Sequence, residues 1–250
     1  MTWRSLSVTI SSISLLAVVA GCSGPAPERR DIVVSAAASL TDALAAIETG
    51  FEDAYPAMDV RLNLGASSAL REQILEGAGV DVFASADVAN MEALIEAGEA
   101  ESSQVFAANL LQIAVPAGNP AGITGLADFA RDEFVIGLCV EGVPCGDFAR
   151  QVLTTAGVAP AVDTNETDVR ALIAKIQVGE LDAGIAYVTD VLASEGVEGI
   201  DIAPESNVVA EYPIAVLKGA PNSDGAKTFV GYVISADGQE ILQRFGFGPP

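Results

Sequence analysis

The 250-residue chain carries 12 Lys and Arg side chains against 34 Asp and Glu, giving a formal net charge of −22 at neutral pH, and half of its residues are hydrophobic. So acidic a protein repels nucleic acid, whose binding depends on neutralising phosphates with Lys and Arg, and it cannot collect anions by its overall charge. The sequence contains no His, which excludes catalytic triads with a His base and the common zinc sites.

The first 21 residues have the pattern of a secretion signal. Arg4 is followed by an uncharged run over residues 5–20, rich in Leu, Ile, Val and Ser, which ends in Val19-Ala20-Gly21-Cys22. A basic residue, a short apolar region and a small-residue ending are typical of secretory signals. A membrane-spanning helix needs about 20 predominantly apolar residues, and this run is shorter and interrupted by serines. Because the ending resembles the lipobox of bacterial lipoproteins, Cys22 is the predicted lipidation site.

A polar, Pro-containing tether follows at residues 22–30. Residues 23–30 reach at most roughly 26 Å when extended. The remaining body, residues 31–250, is long enough for one large or two medium domains. The sequence therefore predicts a protein that is secreted across the cytoplasmic membrane and held by a lipid, on the outer face of the cell membrane or in the periplasm.

Strand and helix patterns alternate from residue 31 onward. The predicted strands of the first series cover residues 32–34, 60–64 and 82–84. Each is followed by apolar residues at helical spacing, which are Leu40, Leu44, Ile47 and Phe51, then Leu70, Ile74 and Leu75, then Met91, Leu94 and Ile95. Tyr55-Pro56 ends the first helix. This alternation is typical of a parallel sheet with helices on both faces.

An apolar strand predicted at residues 110–115 ends at Pro116 and opens a second series. Its strands are predicted at residues 134–138, 183–187 and 212–216. Its helical stripes comprise Phe148, Val152 and Leu153, then Val169, Leu172, Ile173 and Ile176, then Phe229, Val233, Ile241, Leu242 and Phe245. The second stripe has the i, i+3, i+4, i+7 spacing of an amphipathic helix. With strands near residues 110 and 213 as candidate crossovers, the two series predict an α/β fold of two lobes.

Three strand-to-helix junctions are rich in hydroxyl and small side chains. They are Ala36-Ala37-Ala38-Ser39, Gly65-Ala66-Ser67-Ser68 and Val143-Pro144-Cys145-Gly146. Ligands of open parallel sheets bind at the carboxyl ends of the strands, where helix N-termini present free N–H groups that favour an anion. The alternative is that the serines are ordinary helix N-caps, since Ser39 and Asp42 have the spacing of a capping box. The sequence leaves both interpretations open.

The three junctions and their surroundings resemble the periplasmic molybdate-binding proteins. The first junction continues with Leu40, the second with Ala69-Leu70-Arg71-Glu72-Gln73-Ile74, and further matching stretches are Asp81-Val82-Phe83-Ala84-Ser85-Ala86-Asp87, Asp168-Val169-Arg170, Gly184-Ile185-Ala186-Tyr187, Glu211-Tyr212-Pro213 and Arg244-Phe245-Gly246-Phe247. They follow the family order across nearly the whole mature chain, which makes the resemblance specific.

The resemblance implies the two-lobed α/β fold of type II periplasmic binding proteins, in which each lobe is a mostly parallel sheet flanked by helices and two hinge strands join the lobes. Lobe I would comprise residues 31–111 and 216–250, and lobe II residues 112–215. The hinge strands would lie near residues 110–115 and 211–216. In that family the oxyanion sits between the lobes.

The resemblance also implies a set of ligand-binding residues. Carried over by motif, Ser39 and Ser67 would donate hydroxyl and backbone N–H groups from lobe I. Cys145 and Val169 would donate backbone N–H groups from lobe II, and Tyr187 its phenol. Cys145 stands where Ala is usual in the family, a change that a backbone donor tolerates.

Several of these residues have a structural alternative. The side chain of Val169 belongs to an apolar stripe, so only its N–H is assigned to the ligand, and Tyr187 could anchor its ring in apolar surroundings and bond a neighbour. Asp168 is interpreted as a helix cap and Arg170 as a solvated or paired charge. Cys139 and Cys145 could form a disulfide in an oxidising compartment, or remain two thiols.

The function implied is that of a binding protein, not an enzyme, which captures molybdate or tungstate without a cofactor, acts as a monomer and delivers its ligand to an ABC transporter permease and its ATPase. A donor-only site favours a fully deprotonated tetrahedral dianion over phosphate, whose proton would find no acceptor. A receptor for sulfate or another small oxyanion is the alternative. An extracellular hydrolase using Ser39 or Ser67 would lack a His base and a G-x-S-x-G elbow, and a sensory module would lack an output domain.

Overall fold

The computed structural model describes residues 30–250. The predicted signal, the lipidation site Cys22 and nearly all of the tether lie outside the described residues. Within the described part, no helix has both the length and the apolar character that crossing a membrane requires.

Strands and helices alternate through residues 30–250. The strands are β1 (Arg30–Ala37), β2 (Met58–Gly65), β3 (Val82–Ala84), β4 (Gln104–Pro116), β5 (Ile136–Cys139), β6 (Thr164–Glu166), β7 (Ala183–Tyr187), β8 (Val197–Asp201) and β9 (Val209–Val216). The α-helices are α1 (Thr41–Ala54), α2 (Ser67–Leu75), α3 (Val88–Glu96), α4 (Pro144–Thr155), α5 (Val169–Gln177), α6 (Val188–Leu192), α7 (Ser223–Val233) and α8 (Ala236–Arg244). A short 3-10 helix, Ala38–Leu40, precedes α1.

These strands form one sheet in the order β2-β1-β3-β9-β4-β7-β5-β6, with β8 beside β4. Two blocks of it are parallel: β1 lies between β2 and β3, and β5 lies between β6 and β7. Antiparallel pairs of β4 with β9 and with β7 connect the blocks. We call β2, β1, β3, β9 and the first half of β4 sheet part I, and the second half of β4 with β7, β8, β5 and β6 sheet part II.

The 13-residue strand β4 serves both sheet parts. Its pairs with β9 run from Gln104 to Leu110, and its pairs with β7 and β8 run from Leu111 to Pro116. The strand predicted at residues 110–115 is therefore the second half of a longer one. The crossover predicted near residues 211–216 falls within β9, which pairs with β3 and β4 of sheet part I. The division of the chain into two lobes stays a prediction.

The apolar patterns located most elements, and the ones they missed are short or polar. β6 consists of Thr164, Asn165 and Glu166. β8 buries Val197 but exposes most of its other residues, and α6 is only five residues long. None of these segments has enough apolar residues for a period of two or of 3.6 to stand out.

Small residues in the strands let the helices approach the sheet closely. A Cβ on Gly184 of β7 would lie 2.9 Å from Leu172 Cδ1, and one on Gly137 of β5 would lie 3.1 Å from the same atom. Leu172 is completely buried. Because it belongs to the amphipathic stripe of α5, the two glycines allow this helix to pack directly on β5 and β7.

Candidate anion-binding site

The five residues predicted to bind the ligand line a single pocket. Ser39 follows β1, Ser67 begins α2, and Cys145 and Val169 lie in the first turns of α4 and α5. Tyr187 reaches the pocket from the end of β7. Most of the remaining lining is small or apolar, comprising Ala37, Ala38, Gly65, Ala66, Ala86, Val143 and Pro144. The cavity is small, with a volume of about 20 Å³, where roughly 10–15 Å³ holds one water molecule. It therefore suits a small ligand.

Three helices direct their N-termini at this pocket, namely α2, α4 and α5. The first N–H groups of a helix have no partner within the helix, and the helix dipole makes this end positive. Pro144 at the start of α4 lacks an N–H, so the first amide that this helix can offer is that of Cys145. These helix N-termini favour an anion although no Lys or Arg lines the pocket, and the one charged side chain in the lining, that of Asp168, caps α5.

Neither serine acts as a helix cap. Ser39 Oγ lies 2.9 Å from Tyr212 Oη, and the N-cap residue of α1 is Leu40. Ser67 is the first residue of α2 and its Oγ accepts a hydrogen bond from the Ala86 N–H at 3.0 Å. The cap interpretation of both serines is wrong. Because Ser67 Oγ is already an acceptor, its hydroxyl proton remains available to donate into the pocket.

Tyr187 presents a buried phenol that lacks a hydrogen-bond partner among residues 30–250. Its ring contacts those of Phe148 and Tyr212 edge-on, with centroids 6.5 and 6.0 Å apart. Burial, together with the neighbouring Tyr212 and Asp190, raises the pKa of Tyr187 well above that of a free phenol, so the group stays protonated as a donor. A buried donor without an acceptor is costly, and a bound anion would remove that cost.

Tyr212, to which sequence analysis assigned no role, supports the site through Ser39. It is completely buried, and its Oη shares a hydrogen bond with Ser39 Oγ. Burial raises its pKa above that of a free phenol, so Tyr212 too is protonated. The Glu211-Tyr212-Pro213 stretch contributed to the family resemblance, but its contact with Ser39 joins residues 173 positions apart and has no local signal.

A disulfide joins Cys139 at the end of β5 to Cys145 in the first turn of α4. Arg150 reinforces the same loop by donating from Nη1 to the carbonyl oxygens of Cys139 (2.8 Å) and Gly146 (2.9 Å). Gly146 lies so close to the loop that a Cβ would be 2.1 Å from the Val140 carbonyl oxygen. These contacts hold the loop that presents the Cys145 amide to the pocket.

We expect the double substitution of Cys139 and Cys145 by Ala to lower the free energy of unfolding by about 2 kcal/mol, the chain-entropy value for so short a loop. Anion affinity should change little, because Cys145 contributes its amide rather than its thiol. Urea unfolding with and without reductant measures the first effect, and wild-type protein in reductant should match the variant. A large loss of affinity with unchanged stability would contradict this assignment.

Behind Tyr187, Asp190 of α6 is a fully buried carboxyl group whose two oxygens have no hydrogen-bond partner among the described residues. Arg170 Nε lies 3.5 Å from Asp190 Oδ1. Burial raises the pKa of Asp190 to about 7; Arg170 opposes this shift, and Asp42 and Asp168 add to it. Nothing in the local sequence distinguishes this carboxyl group from an exposed one.

The two charged residues beside Val169 have the roles that the sequence favoured. Asp168 is the N-cap of α5, where its Oδ1 accepts a hydrogen bond from the Ala171 N–H at 2.9 Å. Arg170 is paired, with Asp42 of α1 as well as with Asp190. No group of three or more Cys, Asp and Glu side chains within residues 30–250 could hold a metal ion, and the donors around the pocket suit an oxyanion rather than a cation.

The chain is similar to known proteins that bind small oxyanions. The chain is 35% identical over 261 aligned residues to the molybdate-binding protein ModA of Mycobacterium tuberculosis, with both chains covered in full. Its fold is similar to that of the periplasmic molybdate-binding protein of Azotobacter vinelandii (TM-score 0.76, 20% identity, 88% of this chain and 99% of that one). It is also similar to that of the sulfate-binding protein SubI of Mycobacterium tuberculosis (TM-score 0.79, 17% identity, 88% of this chain and 86% of that one).

The two structural similarities concern the fold alone and confirm the predicted α/β architecture of periplasmic binding proteins. Residues 32–248, nearly all of the described part, match the family of bacterial extracellular solute-binding proteins. The chain is a member of that family.

Proposed function

We propose that this protein is the extracytoplasmic binding component of an ABC importer and that it captures molybdate or tungstate in the pocket described above. The ligand would accept hydrogen bonds from the hydroxyl groups of Ser39, Ser67 and Tyr187 and from the backbone amides of Cys145 and Val169. The observation that carries the proposal is a small pocket at which three helix N-termini and three hydroxyl groups meet, with no cationic side chain in its lining. The relative named as a molybdate-binding protein supports the identity of the cargo.

The number of donors is sufficient for tight binding. A hydrogen bond to a charged group contributes roughly 1.5–3 kcal/mol. A handful of them, less the costs of ordering and desolvation, corresponds to micromolar to nanomolar dissociation constants, or about −8 to −12 kcal/mol. The rigid backbone of three helix starts lowers the ordering cost, because the amides are already in place.

Selection would follow from the scarcity of free acceptors, because the one carboxylate in the lining, that of Asp168, already accepts a hydrogen bond from the Ala171 N–H as the N-cap of α5. A fully deprotonated tetrahedral dianion leaves no donor of its own unpaired, whereas the proton of hydrogen phosphate would face other donors. Sulfate carries no such proton and could be rejected only by its smaller size, so a sulfate receptor is the alternative. Molybdate and tungstate are too similar in size and charge for this pocket to separate.

The proposed transport role requires a membrane anchor and two lobes that move relative to each other. Cys22 would be lipidated after signal cleavage, and the tether would hold the body near the permease and its ATPase. Lobe I (residues 31–111 and 216–250) and lobe II (residues 112–215) would close over the anion. The change in the pairing partners of β4 at Leu110 and Leu111 supports the first boundary of this division, as does the pocket's lining, which comes from both sheet parts. At the second boundary, β9 pairs with strands of sheet part I along its length.

A hydrolase that uses one of the serines finds no support in the geometry. Ser39 Oγ bonds the phenol of Tyr212, whose raised pKa keeps it protonated, so it cannot take up the serine proton. Ser67 Oγ bonds a backbone amide, which cannot accept its proton. With no His in the chain, neither hydroxyl has a partner that would activate it as a nucleophile.

Isothermal titration of the mature protein with molybdate, tungstate, sulfate and phosphate in separate runs tests the proposal. One-to-one binding of the first two, with no heat from sulfate or phosphate, is the expected result. If sulfate bound as tightly as molybdate, the proposed transport role would stand, but the assignment of molybdate or tungstate as the ligand would be wrong. No heat from any of the four would overturn the ligand class.

Tyr187→Phe should weaken molybdate binding roughly ten- to hundredfold, the loss of one hydrogen bond to a charged group. Without ligand, the variant should be at least as stable as the wild type, because the substitution removes a buried hydroxyl that has no partner. Titration and thermal unfolding together give this signature. Tyr55→Phe, on an exposed side chain, is the matched control and should change neither quantity.

A further inference from the structure

We propose that Arg170 is a latch between the two sheet parts, which strengthens anion binding without touching the anion. The inference rests on the proposed function, since it assumes that the protein closes around its ligand. Arg170 lies beside the pocket. Its polar contacts join parts of the chain that are distant in the sequence, and these contacts support the inference.

Arg170 lies beside the pocket and joins its two sides. It is the second residue of α5, directly after Val169, which lines the pocket. From Nε it donates to the carbonyl oxygen of Ala38 at 3.3 Å, and from Nη2 it donates to the Asp42 carboxylate. Ala38 lines the opposite wall, and Asp42 lies in the first turn of α1. One guanidinium therefore ties α5 on sheet part II to the start of α1 on sheet part I.

This contact differs from the other ion pairs between described side chains. Arg61 pairs with Asp31, Arg131 with Asp128 and Lys175 with Glu166. Each of these pairs joins residues that belong to the same sheet part or its helices. The pair of Arg170 with Asp42 joins residues 128 positions apart in the sequence, on opposite sides of the pocket.

A partner on its own side makes the contact of Arg170 with Asp42 reversible. Asp190 Oδ1 lies 3.5 Å from Arg170 Nε, and both residues belong to helices of sheet part II. The charged groups that act on this carboxyl are Arg170, Asp42 and Asp168, and the two phenols beside it are Tyr187 and Tyr212. When the two parts separate, Arg170 loses Ala38 and Asp42 but keeps Asp190, so opening does not leave a cation without a partner.

Contacts made only in the closed form raise the closed fraction and, with it, the apparent affinity for the ligand. The Arg170 side chain is 30% exposed and that of Asp42 is 42% exposed, so solvent weakens this ion pair. The second acceptor, the carbonyl oxygen of Ala38, adds to the attraction between the two sheet parts. We expect the effect to lie mainly in the rate of ligand release, since the latch has to break before the anion can leave.

The test uses the mature protein with Arg170→Met, which replaces the apolar stem of the side chain by one of similar length and removes the charged guanidinium. Molybdate affinity should fall about tenfold, with faster release in stopped-flow chase experiments. Asp42→Asn should have a smaller effect in the same direction. In the double variant, the loss should match that of Arg170→Met alone, because both substitutions remove one contact. Arg170→Lys should recover part of the affinity.

Arg61→Met is the matched control. It changes the net charge by the same amount, but Arg61 pairs with Asp31 and Asp59 within sheet part I and its side chain is 63% exposed. Its affinity should stay within about twofold of wild type. Equal affinity of Arg170→Met and wild type, or fully additive losses in the double variant, would overturn the latch.

A measurement without ligand separates this inference from the proposed function. Small-angle scattering of the ligand-free protein should give a larger radius of gyration for Arg170→Met than for wild type and for Arg61→Met. If the wild type bound none of the anions, the cargo would be wrong, but a larger radius for Arg170→Met would still support the latch. Identical radii for all three proteins would count against it.

Discussion

Replacing Gly146 by Ala is expected to lower the free energy of unfolding by about 2–4 kcal/mol. An added Cβ would lie 2.1 Å from the carbonyl oxygen of Val140 and 2.8 Å from that of Cys139, far inside van der Waals contact. Both atoms are backbone, and the disulfide and Arg150 hold the loop that carries them. The clash cannot be relieved by turning a side chain, so either the loop or the start of α4 has to move.

The same displacement should weaken anion binding, because Cys145 precedes Gly146 and supplies one of the proposed amide donors. Urea unfolding measures the loss of stability, and titration with molybdate measures the loss of affinity. Gly231→Ala is the matched control: Gly231 lies within α7, and nothing stands within 4 Å of its added Cβ. That variant should gain up to about 1 kcal/mol. Equal stability of the two variants would contradict the close approach at Gly146.

Asp190→Asn should stabilise the protein at pH 8 by up to about 4 kcal/mol and leave it nearly unchanged near pH 4. Burial raises the folded-state pKa of Asp190 from 3.8 to about 7, so the folded protein holds a proton that the unfolded chain releases earlier. Stability from this group is therefore fully present below about pH 4 and is lost as the pH rises towards 7. The side-chain amide introduced by Asp190→Asn cannot ionise, so the variant does not lose this stability as the pH rises.

Urea unfolding of both proteins at several values between pH 5 and pH 8 checks this prediction. The difference between variant and wild type should grow with pH and level off above 7, and taking the difference cancels the other carboxyl groups. Asp132→Asn, on an exposed residue, serves as the control and should show no trend. A difference that is the same at every pH would mean that Asp190 does not titrate in this range.

Local patterns in the sequence were sufficient for elements whose stability is decided locally. The stripe from Val169 to Ile176 predicts α5, and Asp168 is its cap, because a cap and an apolar face depend on residues within one or two turns. β6 and α6 escaped prediction because they are held in place by their neighbours in the fold rather than by their own composition.

The family resemblance named residues that line the candidate pocket, but the hydrogen bonds of those residues could not be predicted. The resemblance identified Ser39, Ser67 and Tyr187, which line one pocket with Cys145 and Val169. The partners of the two serines could not be predicted, because Tyr212 lies 173 positions from Ser39 and Ala86 lies 19 positions from Ser67. The same holds for Arg170, which the sequence left as a solvated or a paired charge and whose partner Asp42 lies 128 positions away.

The unbroken strand β4 has a mechanical consequence. Its first half is hydrogen-bonded into sheet part I and its second half into sheet part II, so neither part can slide along the strand without breaking several backbone hydrogen bonds at once. In the proposed closure, the two parts would therefore move by bending and twisting this strand. Because the strand keeps its pairing at both ends, the helix N-termini on the two sides would return to the same alignment each time the protein closed.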